Sequence, residues 1–181
     1  MNKTQTIALT AAAALAVLLA YAATRPDVFR VQRSATINAA PERIYPLIND
    51  MRAFNTWNPF NKKDPAIKLD YRGPAAGGGA AFDFHGNKDV GSGSLQITDS
   101  TAPSRVAMQL HMIEPFEGRN DIEFTLVPNG ATTNVTWAMH GPSPYISKLM
   151  GIFFNMDQMI GNDFEAGLSG LKARAEQRSA L

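Results

Sequence analysis

Histidine is the side chain that most often serves as a general base or metal ligand near neutral pH, and this chain has three, His85, His111 and His140. They sit on separate segments, with no HxxxH or HxH spacing of the kind a zinc site uses. Surface histidines are therefore the expected reading, and no metal is called for. The absence of cysteine excludes disulfides, thiolate nucleophiles and Cys-ligated metals, and no G-x-S-x-G nucleophile elbow is present. The glycine-rich "GPAAGGG" at 73–79 lacks the lysine and the following helix of a phosphate loop. It reads as a strand connection, or as a mobile loop at the mouth of a cavity. One acid, Asp157, stands beside an apolar helical stripe. If buried, it needs a partner such as Arg33 or Tyr145, or else its pKa rises. That makes it a candidate catalytic acid or ligand anchor, against the plainer expectation of a half-exposed boundary group.

These side chains must be carried by some framework, and the alternation of residue types supplies one. "FRVQRSATI" puts Phe29, Val31, Ala35 and Ile37 on one face of a strand. Arg33 interrupts that row, expected because the first half of the strand clears the core rather than because a charge faces inward. "APERIYPLINDM" has proline where a first helical turn accepts it, and Pro46 keeps the helix short. A second short turn holds Phe54, Trp57 and Phe60 at intervals of three and closes one end of the domain. Six further segments from Ile67 to Gly141 alternate and are separated by Gly, Pro, Asn or Asp, the pattern of an antiparallel meander. "VPNGAT" reads as a tight hairpin, with Asn129 and Gly130 as its two positive-φ residues.

Ser143 and Pro144 are expected to cap and start one long terminal helix. On it Ile146, Leu149, Phe153, Met156, Ile160, Phe164, Gly167 and Leu171 share a side. Gly161, Gly167 and Gly170 thin that helix, for close packing against strands or to leave room for a guest. The fold class expected is thus α+β: a seven-stranded antiparallel curved sheet wrapped around a long C-terminal helix, with two short helices after the first strand.

Along the meander, alternation gathers the apolar residues on one face and leaves Asp83, His85, Gln96, Gln109, His111, Glu123, Thr136 and His140 on the other. The apolar face and the terminal helix define the candidate ligand-binding residues: Trp57, Tyr71, Phe82, Phe84, Met108, Leu110, Met112, Phe124, Trp137, Met139, Phe153, Met156, Asp157 and Ile160. No cofactor is called for, and catalytic residues are not assigned.

Ahead of the domain, residues 4–24 carry no charge and "IALTAAAALAVLLAYAA" is apolar almost throughout, long enough to cross a bilayer. Residues 1–25 are read as a single-span membrane anchor and residues 26–181 as one domain. The rival is a cleaved export signal, because "AYA" at 20–22 has the small-x-small form of a signal-peptidase site. Basic residues after the span, Arg25, Arg30, Arg33 and Arg43, favour a cytoplasmic domain, whereas cleavage after export makes it periplasmic or secreted. Either side of a bacterial-type inner membrane is open at this point. Lys3 is the only charge in the first 24 residues, so the rest carries 16 basic and 16 acidic side chains. That balance leaves no basic footprint for nucleic acid. With 45% hydrophobic and 18% charged residues, the composition is that of an ordinary globular domain.

Three phrases, "FRVQRSATINAAPERIYPLINDMRAFNTWNPF", "GSGSLQITDS" and "MDQMIGNDFEAGLSGLKARAE", resemble the polyketide cyclase/dehydrase-like branch of the START-like (SRPBCC) superfamily, over about residues 27–178. The resemblance implies the helix-grip fold and a cavity between sheet and helix that binds hydrophobic molecules such as lipids, sterols or polyketides. Two functions follow as expectations. One is a membrane-tethered binding module for a hydrophobic small molecule or lipid. The other is a cyclase or dehydratase-like enzyme using Asp157, Tyr71 or Tyr145. A third possibility is a fully packed interior in a domain that serves protein interaction or stress response without a ligand.

Overall fold

The computed structural model describes residues 2–177; Arg178, where the resemblance ends, and the remainder of the expected domain to 181 lie outside them. A 21-residue helix, α1 (Lys3–Ala23), opens the chain with a reciprocal Asn2/Gln5 capping box. Strand β1 (Val28–Ile37) follows, then α2 (Pro41–Asn49) and two single turns, α3 (Met51–Phe54) and α4 (Phe60–Lys63). The meander consists of β2 (Lys68–Arg72), β3 (Ala81–His85), β4 (Ser92–Thr101), β5 (Arg105–Glu114), β6 (Gly118–Asn129) and β7 (Thr132–Pro142). Two helices close the chain, α5 (Tyr145–Phe153) and α6 (Met156–Glu176).

The seven strands form one antiparallel sheet in the order β1-β7-β6-β5-β4-β3-β2. Register shifts at Ser92/Gly93 and Ile97/Asp99 add local bend and twist. The tight turn between β6 and β7 differs from the expectation. Asn129 still pairs with Thr132, and the only positive φ there is +60° at Gly130. The two turn residues are therefore Gly130 and Ala131, with glycine first, the position that a II′ turn reserves for it.

Alternation behaves as expected across the meander: Phe82, Phe84, Leu95, Ile97, Met108, Ile122, Phe124, Leu126, Val135 and Trp137 are all buried. The opposite face carries ion pairs of Arg72 with Asp83 and of Arg105 with Asp99 and Glu123. The glycine loop after β2 is tied down: Met51 N donates to Ala75 O and Gly77 N to Asn49 O. Asp50 Oδ1 accepts from Arg52 N at 2.8 Å and Ala53 N at 2.9 Å, which ends α2 and starts α3.

The single terminal helix that periodicity suggested is broken. Phe154 is extended, and the Asn155 side chain accepts from Gln158 N to cap a new helix. Pro144, not Ser143, stands at the start of α5, and no side chain caps it. The interruption resets the helical phase, so Phe153 and Met156 are 67% and 46% exposed instead of continuing the inward stripe. The inward face of α6 is Gly161, Phe164, Gly167, Leu168, Leu171 and Ala175.

Arg33 also departs from expectation, because it does face inward. Its register partner is Trp137, and its guanidinium pairs with Asp157 at 3.0 Å and Glu165 at 2.8 Å on α6. A Cβ at Gly161 would overlap that guanidinium, and one at Gly167 would lie 2.5 Å from Trp137 Cζ3. Those two glycines let α6 approach β1 and β7. Lys172 Nζ donating to Thr36 O and Asn38 N donating to Glu176 Oε1 complete the seam.

Candidate functional site: two spaces divided by an aromatic plug

The concave face is not one open vault. Phe54 and Trp57, delivered by α3 and the turn after it, fill its centre against Phe124 and Trp137, with ring centroids 4.8 to 6.3 Å apart. Trp137 then stacks on Phe164 of α6 at 4.2 Å and 9°. The Trp57 indole N–H donates to Leu47 O at 2.8 Å, so this ring is held by α2 as well as by packing.

On one side of the plug lies an inner cavity of about 130 Å³, walled by Phe54, Phe60, Ile67, Phe82, Phe84, Val90, Leu95, Leu110, Met112, Ile122 and Trp137. Its polar groups come from Asn58 and Asn61. The Asn61 amide donates to Asn55 O at 2.7 Å and Asn55 Oδ1 at 3.1 Å. That leaves Asn61 Oδ1 and the Trp137 Nε1–H as buried groups with no protein partner. A buried donor or acceptor without a partner costs about 1–3 kcal/mol, a cost that a bound polar atom removes.

A second, larger and more open groove of about 670 Å³ runs between the start of β1 and the α5–α6 region. Val28, Phe29, Ile152, Phe153, Phe154, Met156 and Ile160 give it apolar walls, with Arg25, Arg30, Lys148 and Asp157 among its charged groups.

The residues expected to bind ligand divide among these places. Phe82, Phe84, Leu110, Met112 and Trp137 line the inner cavity, and Phe153, Met156, Asp157 and Ile160 line the outer groove. Trp57, Met108, Phe124 and Met139 are buried in the packed core. Tyr71 lies at the margin, its hydroxyl accepting from Asn55 Nδ2 at 3.3 Å and the Arg52 guanidinium over its ring at 4.3 Å. Asn58 and Asn61 were missed as site residues, although their places beside Trp57 and Phe60 in "NTWNPFN" were a signal. Ile67 and Val90 sit in connections whose path into the cavity no periodicity reveals.

The groups proposed for catalysis are far apart in role. Asp157 is hydrogen-bonded to Arg33, which holds its carboxyl below the usual carboxylate range, the reverse of what a proton donor near neutral pH needs. The Tyr145 hydroxyl donates to Leu19 O at 2.8 Å. His85 is exposed, His111 lies 3.4 Å from Glu117 and His140 lies 3.7 Å from Asp121. Among the described residues, no group of three His, Asp or Glu side chains is placed to hold a metal.

The depressed pKa of Asp157 has a definite sign in stability. The Arg33 pairing contributes fully above the unfolded carboxylate pKa of about 4 and is lost as pH falls through the lower folded value. Asp157→Asn is therefore expected to lower the urea midpoint slightly at neutral pH, with the difference from the parent chain vanishing in strong acid. An equal difference at both extremes would remove the ion pair as its cause.

An open antiparallel sheet gripping a C-terminal helix, with short helices inserted after the first strand, is the helix-grip fold of the SRPBCC superfamily. The polyketide cyclase / dehydrase and lipid transport family matches residues 28–176, and the chain belongs to that family. Among solved structures, CV1439 from Chromobacterium violaceum is similar over 85% of this chain and 100% of its own, with a TM-score of 0.60 at 17% identity. The Aha1 dimer from Colwellia psychrerythraea is similar over 82% of this chain and 96% of its own, with a TM-score of 0.56 at 20% identity. DynU16, from the dynemicin biosynthetic locus, is similar over 84% of this chain and 48% of its own, with a TM-score of 0.58 at 12% identity. At these identities the likeness concerns the fold. No curated protein matches the chain.

Proposed function

We propose that this protein is a membrane-tethered binding module for a hydrophobic small molecule. The inner cavity supports this reading most directly. Its wall is built from aromatic and aliphatic side chains, its polar groups come from Asn58 and Asn61, and two of its lining residues, Asn61 and Trp137, each carry a buried polar atom without a protein partner. Apolar walls with a few orienting polar groups are what small-molecule pockets use. A guest with an apolar body and one hydroxyl or carbonyl end suits such a wall. At about 130 Å³ the space is below the usual 300–1,000 Å³ of ligand pockets, so a larger guest requires Phe60, Met112 and neighbouring side chains to move apart.

Tethering is supported by α1. Its 21 residues have a mean hydropathy of 2.1 over the best window, with only 6% of that window buried. A soluble core helix of this composition would be covered, whereas α1 leaves Ile7, Leu9, Leu15 and Val17 between 55% and 69% exposed. Lipid is the solvent that suits such a surface. The cyclase or dehydratase reading finds less support in the named groups: Asp157 is paired with Arg33, the Tyr145 hydroxyl donates to Leu19 O, and the Tyr71 hydroxyl accepts from Asn55.

Two measurements test the two parts separately. After alkaline carbonate extraction of membranes, the full-length chain should stay in the pellet; recovery in the soluble fraction refutes the anchor. In native mass spectra of the detergent-extracted protein, an apolar molecule should co-purify, and a chain that remains empty after incubation with a range of lipids and sterols refutes the binding module.

A further inference from the structure

Helix α5 and the elbow that joins it to α6 show an apolar surface that the domain itself leaves uncovered. Ile146, Met150 and Phe153, spaced by four and three, form one stripe, and they are 60%, 39% and 67% exposed. Phe154 and Met159 extend it at 52% and 57%. From Pro144 to Met156 the only charged side chain is Lys148, and it is turned inward, buried and paired with Asp27. A solvent-facing helix normally places its charges outward; this one does the reverse.

The position of α5 says what covers it. It lies beside α1, and the Tyr145 hydroxyl donates to the Leu19 carbonyl at 2.8 Å. Leu19 is four residues from the end of α1 at Ala23, about 6 Å along the axis. If α1 spans the hydrocarbon layer, the start of α5 is at the boundary between acyl chains and headgroups. Tyr21 and Arg25 mark the same level: the Arg25 guanidinium stacks over the Tyr21 ring and donates to its hydroxyl, and aromatic and basic residues concentrate at that depth. Exposed Arg25 and Arg30 flank the groove on the side where anionic headgroups would lie.

We propose that α5 and the Phe153–Phe154 elbow form an interfacial docking surface, embedded in the leaflet at the C-terminal end of α1 and covered by lipid. This rests on the proposed anchor for its depth. Amphipathic helices of this kind sink their apolar face about 5–10 Å into the headgroup and acyl boundary. The outer groove shares Phe153 and Phe154 with that surface, so its mouth then opens against the bilayer rather than against water.

The chain has no cysteine, which permits single-site labelling of the full-length protein in vesicles of phosphatidylcholine and phosphatidylglycerol. An environment-sensitive dye would be attached to Phe153→Cys, with Met150→Cys as a second site on the same stripe. Leu9→Cys reports the anchor, and Val127→Cys, exposed near the β6–β7 turn at the opposite end of β1 and β7, reports bulk water. Nitroxide-bearing lipids should quench most of the emission at 153, 150 and 9 and leave that at 127 unchanged. Quenching at 9 with none at 153 or 150 overturns the docking surface and keeps the anchor. Quenching at 153 and 150 without 9 upholds the docking surface and removes the anchor, and quenching at neither stripe nor anchor overturns both.

Discussion

Trp137→Ala is expected to remove about 3–5 kcal/mol of stability, the usual range for truncating a large buried aromatic side chain. Trp137 is 2% exposed, and its ring joins three parts of the fold. It stacks on Phe164 of α6, meets Phe124 on β6 at 4.9 Å and meets Trp57 from the α3 turn at 5.9 Å. Each favourable ring pair adds about 0.5–1.5 kcal/mol beyond area burial, and three are lost together. Against a total of about 5–15 kcal/mol for an ordinary domain, such a loss leaves a substantial unfolded population. Urea titration of the full chain in detergent, followed by near-ultraviolet circular dichroism, measures the shift. Trp137→Phe keeps most of the packing and also removes the unpaired N–H, so it should cost far less. Equal losses from the two substitutions would sink the stacking account, since a phenyl ring can keep the stack on Phe164.

Leu110→Trp is expected to abolish occupancy of the inner cavity while the fold survives. Leu110 lines that cavity on β5 and is only partly buried, so a larger ring has the void to grow into. Overpacking costs about 1–3 kcal/mol, less than the whole stability of the domain. A guest excluded by the ring should lose affinity by about tenfold or more, tenfold being about 1.4 kcal/mol. The readout is the fraction of guest-bound protein in native mass spectra, compared at equal guest concentration with the parent chain. Asp157→Asn, on the outer groove, should leave that fraction unchanged. If Leu110→Trp retains its guest and a groove variant does not, the binding site is the outer groove and the inner cavity is a packing void.

Both expectations show where local pattern stops. The strands were legible because a side chain's face in a sheet depends only on parity, and Phe82, Phe84, Met108 and Phe124 point inward as alternation requires. Cavity lining is a different matter. Met108, Phe124 and Met139 lie on the same sheet face as Leu110 and Met112, yet the first three are packed into the core and the last two border the void. Phe124, for one, is covered by Phe54 and Trp57, brought from a turn more than sixty residues earlier in the chain. The Arg33 row shows the same thing in reverse: parity placed it inward, and the rarity of buried arginine argued against parity. The decisive fact was the presence of Asp157 and Glu165 on the facing helix.

By itself, the sequence was enough to determine the apolar N-terminal helix, the seven alternating strands, the short helices after the first and a terminal α-region with glycines set for close approach. These are properties of neighbouring residues, set by steric preference and by the period at which apolar side chains recur. The tertiary structure alone decided that the terminal region breaks at Asn155, that an aromatic plug divides the concave face, and that α5 lies beside α1 with its apolar side uncovered. Each of these depends on which surfaces meet across long stretches of chain, and burial energy is a property of the meeting surfaces rather than of either one.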